Sequence, residues 1–182
     1  MRGAHLPPPP LTARSARAAG VVAAARRLLE AGGPAALTMR RLGSEVGMKA
    51  PSLYKHFPTK AAVEAALIEQ GLLELGSALH AAVSVPGGAG VVGRLLAAYR
   101  AGALESPELY RLATGGPLPR RHLAEGLEAW AGAPFFLATG DAARAQALFA
   151  FAHGMVVLEL DRRFPEGSQL ERTWAAGVAG FT

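Results

Sequence analysis

Cysteine is absent from the 182-residue sequence. Its absence excludes disulfide bonds, thiolate catalysis and zinc or iron–sulfur sites built on cysteine, and it fits the reducing environment of a cytoplasm. The sequence also lacks any run of about 20 uncharged apolar residues, the length that a membrane-spanning helix requires. Hydrophobic residues nonetheless make up 51% of the chain. We therefore expect a cytoplasmic protein with a packed core, neither disordered nor inserted in a membrane.

Residues 1–12 are predicted to form a flexible arm. The first eleven residues lack the apolar core of a signal peptide, and the four prolines at 7–10 favour an extended, polyproline-like conformation. Arg2, Arg14 and Arg17 could bring this part of the chain near a nucleic-acid groove or a phosphate. The simpler alternative is a disordered terminus without such a role.

Acidic residues are scarce in the first third of the chain. Residues 1–60 contain ten Lys and Arg but only Glu30 and Glu45, a net charge of +8, whereas residues 61–182 contain nine Lys and Arg and twelve acids, a net charge of −3. A basic segment on a mildly acidic body is typical of proteins that bind nucleic acids, because each phosphate contact releases counterions. The alternative is an ordinary solvated surface in an Arg-rich protein.

Residues 37–60 carry the pattern of a helix, a glycine turn and a second short helix. Thr38 is suited to cap the first helix, and Gly47 supplies the residue that most readily adopts the positive φ of a turn. Spacing places Met48, Leu53 and Phe57 on the inner face of the second helix. The outward face is left with Lys49, Ala50, Ser52, Tyr54, Lys55 and His56. Two short helices of this kind form a helix-turn-helix, which places its second helix in the major groove of DNA.

This stretch resembles the TetR family of bacterial transcriptional regulators over residues 13–60, most specifically at residues 53–60. The apolar stripe from residue 13 to about 32 fits the first of three helices in that DNA-binding domain. The resemblance implies a bacterial, cytoplasmic and nucleoid-associated homodimer that binds a palindromic double-stranded DNA operator. By position it implies phosphate contacts from Thr38, Tyr54, His56 and Lys60, and base proximity for Lys49, Ala50, Pro51, Ser52 and Lys55.

Two positions depart from the family pattern. Lys49 opens the second helix where the family usually has a small hydroxyl residue, and an ammonium group cannot accept the amide hydrogen bonds that cap a helix. Gly43 stands where the family tends to have alanine, which lowers helix propensity by roughly 1 kcal/mol. Pro51 is tolerated in the first turn, but its amide cannot donate to DNA. The helix-turn-helix pattern is kept in spite of both departures. They leave open which groups of the second helix contact bases.

Residues 61–182 are predicted to form a domain for effector binding and dimerisation. Thr59 is a candidate cap for a long helix to about residue 83, and further helices are predicted at about 89–104, 107–114, 119–131, 141–163 and 168–180. Proline and glycine mark turns at 86–88, 107, 115–117, 132–134 and 165. No alternating strand pattern or internal repeat competes with these helices. The fold class expected is all-α, with a three-helix head followed by a helical domain.

Residues 145–160 resemble the penultimate helix of a TetR subgroup named for a Trp-His-Gly motif, which here is Ala152-His153-Gly154. In the family the last two helices of each subunit pack against their symmetry mates, which implies a homodimer whose two heads bind two half-sites. The interface candidates are Leu148, Ala152, Met155, Leu170, Trp174, Val178 and Phe181. The alternative is that this stripe is core of the monomer.

The resemblance also implies a pocket for a small-molecule effector between the long helix and the body helices. Candidate wall residues are Leu72, Leu75, Tyr99, Tyr110, Trp130, Phe149 and His153. Because few charged side chains are expected inside this pocket, a mainly apolar or weakly polar effector is favoured. The alternatives are core packing for the aromatic residues and a hydrogen-bonded helix contact for His153. No cofactor and no metal site are predicted.

An enzyme and a membrane-surface helix are the competing functional classes. His122 lies near Glu125 in a polar stretch where a solvated surface is the ordinary explanation, and no HExxH, glycine-rich phosphate loop or nucleophile elbow is present. Arg17, Arg26 and Arg27 accompany an apolar stripe, but that stripe is alanine-rich, so lipid affinity should be poor. We predict a ligand-responsive repressor without catalytic activity. An activator of the same fold and a nonspecific DNA-binding module are the alternatives.

Overall fold

The computed structural model describes residues 6–11, 13–85 and 90–182. Within these residues the backbone forms nine α-helices and a short 3-10 helix at Arg120–His122. In chain order the α-helices are α1 Ala16–Ala36, α2 Met39–Glu45, α3 Ala50–His56, α4 Lys60–Ser84, α5 Val91–Glu105, α6 Pro107–Thr114, α7 Leu127–Thr139, α8 Ala142–Leu160 and α9 Leu170–Phe181. The predicted all-α fold is confirmed. In the described part of the chain, no helix has both the length and the hydropathy to cross a membrane.

Most predicted helix positions are confirmed, and one is wrong. The helix expected at 119–131 does not form, because Arg120–His122 is a single 3-10 turn and α7 begins only at Leu127. Residues 132–134, expected to mark a turn, lie inside α7. The break expected at 86–88 falls outside the described residues.

The chain groups into two compact units, and the first is called the head unit. It comprises Pro9–Leu72 and Ser106–Leu127. Its core joins α1, α2, α3 and the start of α4 through side chains at most 1% exposed, among them Leu29, Leu42, Leu53 and Leu67. The head unit extends past residue 60 to include part of α4, α6 and the 3-10 turn. The functional boundary at residue 60 stays a prediction.

Helix α1 starts at a polar cap and stops at glycine. Ser15 Oγ accepts the N–H of Ala18 at 3.2 Å, which satisfies one amide of the first turn. At the other end, Gly32 (φ −156°) and Gly33 (φ +66°) leave the helical conformation, and one further turn follows from Pro34. The predicted stop at this point is confirmed, and the start lies three residues later than predicted.

Two carboxylates tie the head unit together. Glu69, 2% exposed, pairs with the guanidinium of Arg14 and accepts the main-chain N–H of Ala124 at 3.0 Å. Glu30 on α1 accepts the main-chain N–H of Leu109 at 2.9 Å and so helps to cap α6. Arg14, considered above as a contact to a groove or a phosphate, is bound to a buried carboxylate of its own chain.

The second unit, called the body unit, comprises Leu73–Glu105, Glu128–Thr182 and the described part of Met1–Pro8. Helices α5, α8 and α9 pack against one another in this unit. Its core includes Leu95, Tyr99, Leu148 and Val156, each at most 1% exposed.

Arg100 joins the three packed helices of the body unit. From α5 it donates to Glu159 on α8 through Nη2 at 2.7 Å and through Nε at 2.9 Å, and to Glu171 on α9 through Nη1 at 2.7 Å. The hydrogen bonds to Glu159, and then those to Glu171, raise the pKa of Arg100 above its usual value against the opposing effect of burial. The guanidinium also lies 5.6 Å from the centre of the Trp174 ring. One side chain therefore holds the three helices in register.

Helix α7 continues through Pro134 because a side chain from another helix donates to the main-chain carbonyl that lacks a helical N–H donor. Proline has no N–H, so Pro134 cannot donate to the carbonyl of Trp130 four residues earlier. Nε2 of His80, a fully buried side chain of α4, lies 2.9 Å from that carbonyl oxygen and must be the donor, since a carbonyl only accepts. The His80 ring also stacks on the Trp130 ring, with 4.7 Å between their centres. This substitution of donors explains why the proline does not end the helix.

Candidate nucleic-acid interface

The turn between α2 and α3 is held by its backbone and by two glycines. Thr38 Oγ1 accepts the N–H of Arg41 at 3.2 Å and caps α2, as predicted. Gly47 follows with φ +60°, a conformation that costs little only for glycine. The N–H of Met48 then donates to the carbonyl of Gly43 at 2.8 Å. A Cβ at Gly43 would lie 3.1 Å from the Met48 carbonyl oxygen, so glycine suits this tight turn.

Burial divides α3 and its flanks into an inner and an outer face. Leu53 (1% exposed) and Phe57 (6%) pack in the head core, and Met48 is half-buried, as the spacing predicts. The exposed positions are Lys49, Ala50, Pro51, Ser52, Tyr54, Lys55 and His56. They carry two ammonium groups, two hydroxyls and an imidazole, which are donors suited to phosphate oxygens and to base edges.

No side chain caps the start of α3. Lys49 occupies the N-cap position with an extended backbone (φ −68°, ψ 147°), and its side chain makes no capping hydrogen bond. This is expected of a side chain that cannot accept. Pro51 lies in the first turn, where no helical hydrogen bond is lost. Within the described residues Lys49 has no ion-pair partner, so its charge remains available to an anion.

Lys60 and Thr38 already have partners within the head unit. Lys60 Nζ donates to the carbonyl of Pro34 at 3.1 Å and lies 3.3 Å from Glu64 Oε1. Because an ammonium group has three protons, these contacts leave one for a phosphate. The Thr38 oxygen is used in the cap of α2, but its hydroxyl proton can still be donated. The contact between Lys60 and Pro34 is not visible from sequence spacing.

Two exposed cations beside the turn were missed by the sequence reasoning. Arg40 and Arg41 follow the Thr38 cap on α2, both are exposed, and neither forms an ion pair within the part of the chain that the structure describes. Arg27, by contrast, lies 3.2 Å from Glu45. The available signal was the position of two consecutive arginines directly after the cap of the first helix of the motif.

A family model of bacterial regulatory proteins, tetR family, matches residues 16–67. The match spans α1, α2, α3 and the first turns of α4, which is the whole helix-turn-helix described above. Residues 16–67 therefore form a helix-turn-helix domain of the TetR family. This match and the fold support a DNA-binding transcriptional regulator, and regulators of the family are generally not enzymes.

Solved structures share the fold of nearly the whole chain. A protein of unknown function from Rhodococcus sp. RHA1 is 25% identical, with a TM-score of 0.74 over 92% of this chain and 94% of that chain. A candidate regulatory protein, SCO4313, is 22% identical, with a TM-score of 0.71 over 90% and 94%. A TetR variant from Acinetobacter baumannii AYE in complex with minocycline is 23% identical, with a TM-score of 0.62 over 90% and 94%. Among curated proteins, none matches the sequence.

The candidate effector residues fall in both units. Leu72 and Tyr110 belong to the head unit, and the others belong to the body unit: Leu75, Tyr99, Trp130, Phe149 and His153. The head unit has an open groove of about 230 Å³, lined in part by Glu64, Ile68 and Leu112, but neither of its two candidates lines it. Tyr110 is 5% exposed and packs in the head.

An aromatic cluster in the body unit contains three of the candidates. Tyr99 lies edge-on to Phe135 at 5.7 Å and to Phe149 at 6.2 Å, and the Phe149 ring stacks on His153 at 5.9 Å. Phe149 is 44% exposed, so the cluster reaches the surface of the unit. Burial lowers the pKa of His153 and favours its neutral ring. Trp130 is stacked on His80 instead and does not belong to this cluster.

The candidate dimer residues lie on α8 and α9 but face the core of their own protomer. Leu148, Ala152, Met155 and Trp174 are between 0% and 6% exposed, and Leu170, Val178 and Phe181 are half-buried. The exposed side of α8 instead presents small apolar residues at helical spacing, and α9 does the same. These outer residues are Ala147, Ala150 and Leu158 on α8, with half-buried Gly154 and Val157 between them, and Ala175, Ala176 and Ala179 on α9.

Proposed function

We propose that the protein is a repressor that binds a palindromic DNA operator as a homodimer and is released by a small-molecule effector. The observation that carries the proposal is the outer face of α3, where basic and hydroxyl side chains stay exposed while Leu53 and Phe57 fix the helix in the head core. A rigid, basic helix after a tight turn suits the major groove. The choice of repression over activation rests on the family.

The donors around α3 divide into two functional groups. Thr38, Tyr54, His56 and Lys60 are proposed to bind phosphates and to set the position of the helix on the duplex. The residues nearest to bases are proposed to be Lys49, Ala50, Pro51, Ser52 and Lys55. Arg40 and Arg41 join the phosphate group, because they are exposed on the helix that precedes the turn.

Dimerisation is proposed to use the outer faces of α8 and α9. Side chains as small as those of Ala150, Gly154 and Ala179 let two helices approach closely, and Leu158, 38% exposed, adds apolar area. A two-fold axis through this surface would present two heads to two half-sites.

The aromatic cluster in the body unit is the proposed effector site. Its rings favour a flat or apolar molecule, and the half-buried, neutral imidazole of His153 stacks on the Phe149 ring of the cluster. The fold accommodates a small molecule in the A. baumannii TetR variant solved with minocycline. Release from DNA requires unequal binding of the effector to two states of the dimer, with a coupling free energy of roughly 1–3 kcal/mol.

The deciding experiment is selection of bound sequences from a random duplex library with the purified protein, followed by titration at several salt concentrations. Enrichment of one palindrome, bound by two chains, is expected. If no motif is enriched and binding depends steeply on salt alone, the protein is a nonspecific basic module and the proposal is wrong.

Single substitutions then test the division of roles on the enriched site and on a random duplex. Tyr54→Phe removes one hydroxyl and should weaken binding to both, whereas Lys55→Ala should lower affinity mainly for the enriched site. Arg121→Ala is the matched control, since it removes an exposed cation of the head unit outside the family match. Equal losses on both duplexes for every variant would refute the assignment.

A further inference from the structure

Trp130 is held in one orientation by the residues around it. Its ring stacks on the buried His80, with 21° between the ring planes, and its main-chain carbonyl accepts from the same side chain. On another side the ring abuts Gly76, where a Cβ would lie 2.5 Å from the indole Cζ3. Trp130 is 7% exposed. The direction of its indole N–H is therefore fixed by packing before any partner binds.

The indole N–H donates to the chain's own proline-rich segment. Trp130 Nε1 lies 2.8 Å from the carbonyl oxygen of Leu6, which four prolines follow. A residue before proline is restricted to extended conformations, and consecutive prolines form a polyproline II helix without help from hydrogen bonds. Such a segment exposes its carbonyls and loses little conformational entropy on binding. Aromatic surfaces recognise proline-rich ligands for this reason.

We propose that Trp130 is a recognition site for an extended proline-rich segment, and that its occupant is residues 6–8 of the same chain. Both partners are preorganised for this contact, since the indole of Trp130 is immobilised and the proline-rich segment is already extended. Because the segment belongs to the same chain, its effective concentration at Trp130 is on the order of millimolar, so a contact of about millimolar affinity suffices here. The inference does not depend on the proposed repressor function.

The proline-rich segment is therefore bound to the body unit and is not a free arm that contacts DNA. Further along the chain, in the head unit, the guanidinium of Arg14 pairs with the buried Glu69. The partner of this segment is defined at Leu6, whose carbonyl accepts from Trp130 Nε1 at 2.8 Å. Residues 1–5 lie outside the described part of the chain.

Fluorescence of Trp130 tests the proposal directly. The chain has two tryptophans, so Trp174→Phe leaves Trp130 as the single reporter. In that background, deletion of residues 1–10 should shift the emission to longer wavelength and raise acrylamide quenching severalfold. Addition of the peptide Leu-Pro-Pro-Pro-Pro-Leu at millimolar concentration should reverse both changes saturably. A peptide in which Gly and Ser replace the prolines is the matched control and should have no effect.

The outcomes separate the alternatives. Unchanged emission and quenching after the deletion, with helical circular dichroism preserved, would show that the segment does not cover Trp130 and would overturn the proposal. Reversal by the Gly/Ser peptide would remove the role of the prolines. A shift of the intact Trp174→Phe chain on dilution to monomer would show that the segment comes from a second copy. Trp130→Phe keeps an aromatic ring but no N–H, and a Trp174 signal in that variant checks that the body unit still folds.

Discussion

His80 donates a hydrogen bond from Nε2 to the main-chain carbonyl of Trp130, the acceptor that Pro134 leaves without its helical donor. A side chain of α4 thus completes the hydrogen bonding of α7. The two helices depend on each other at this point, because Pro134 without His80 would leave the buried carbonyl of Trp130 without a donor.

This dependence predicts a compensating pair of substitutions. His80→Leu should lower the free energy of unfolding by about 2 kcal/mol, since it leaves a buried carbonyl without a donor. Pro134→Ala restores the helical N–H, so the double variant should be clearly more stable than His80→Leu alone in urea unfolding. Pro165→Ala, in a loop, is the control and should give no such recovery. Simple additivity of the His80 and Pro134 effects would contradict the assignment.

Glu30 is predicted to stabilise the head unit by capping α6. Its carboxylate accepts the main-chain N–H of Glu108 at 3.2 Å and of Leu109 at 2.9 Å. Glu30→Ala should therefore lower the free energy of unfolding by about 1 kcal/mol, the typical value of a lost cap. Glu166→Ala, at an exposed loop position, should change stability by less than about 0.5 kcal/mol. Equal effects of the two substitutions in urea unfolding would show that the cap contributes nothing.

Stability is predicted to fall below neutral pH in part through His153. Burial lowers its pKa from the ordinary value of 6.5, so the folded protein binds fewer protons than the unfolded chain between the two pKa values. The contribution is complete above the unfolded pKa and is lost as pH falls through the folded one. His153→Gln should make the free energy of unfolding less dependent on pH between 7.5 and about 5.

The outer face of α8 is predicted to carry the dimer. Ala150→Glu should convert the protein to a monomer in sedimentation velocity, because a charge would be buried between two closely approaching helices. Since Ala150 is exposed in the protomer, the helical circular dichroism should be preserved. Ala129→Glu places the same charge on an exposed position of α7 and should remain dimeric. A dimeric Ala150→Glu variant would place the interface elsewhere.

Gly47 is predicted to be indispensable to the turn before α3. With φ +60°, Gly47→Ala is strained even though no neighbouring atom lies within 4 Å, and it should cost about 1–2 kcal/mol in thermal or urea unfolding. Gly132→Ala also meets no atom within 4 Å but lies in the regular helix α7, so it should stabilise by up to about 1 kcal/mol. The same sign for both substitutions would refute the conformational explanation.

The DNA-binding head was the part of the molecule most accessible from sequence. Its elements are short and local: Thr38 caps the helix that it precedes, Gly47 turns where it stands, and Leu53 and Phe57 face inward by spacing alone. Each prediction depended on residues within one or two turns of the chain.

The rest depended on contacts between residues far apart in the sequence. Residues 132–134 read as a turn because nothing nearby shows that His80 would supply the missing donor. The stripe of Leu148, Ala152 and Met155 was assigned to the dimer, whereas the structure places it in the protomer core. The outer side of α8 also carries apolar residues, so the sequence of this helix shows no polar face that would mark its exposed side. The spacing of apolar residues identifies an apolar face of a helix, but it does not show which neighbouring element packs against that face.

The small side chains on the outer faces of α8 and α9 have a consequence for a cell that makes several regulators of this fold. A dimer that closes over Ala150, Gly154 and Ala179 would select its partner by size alone, because a sibling chain with one larger residue at any of these positions would collide with the opposing backbone. Heterodimers with such a chain would be excluded without a single charged contact. They would carry two different recognition helices and would not match a palindromic site.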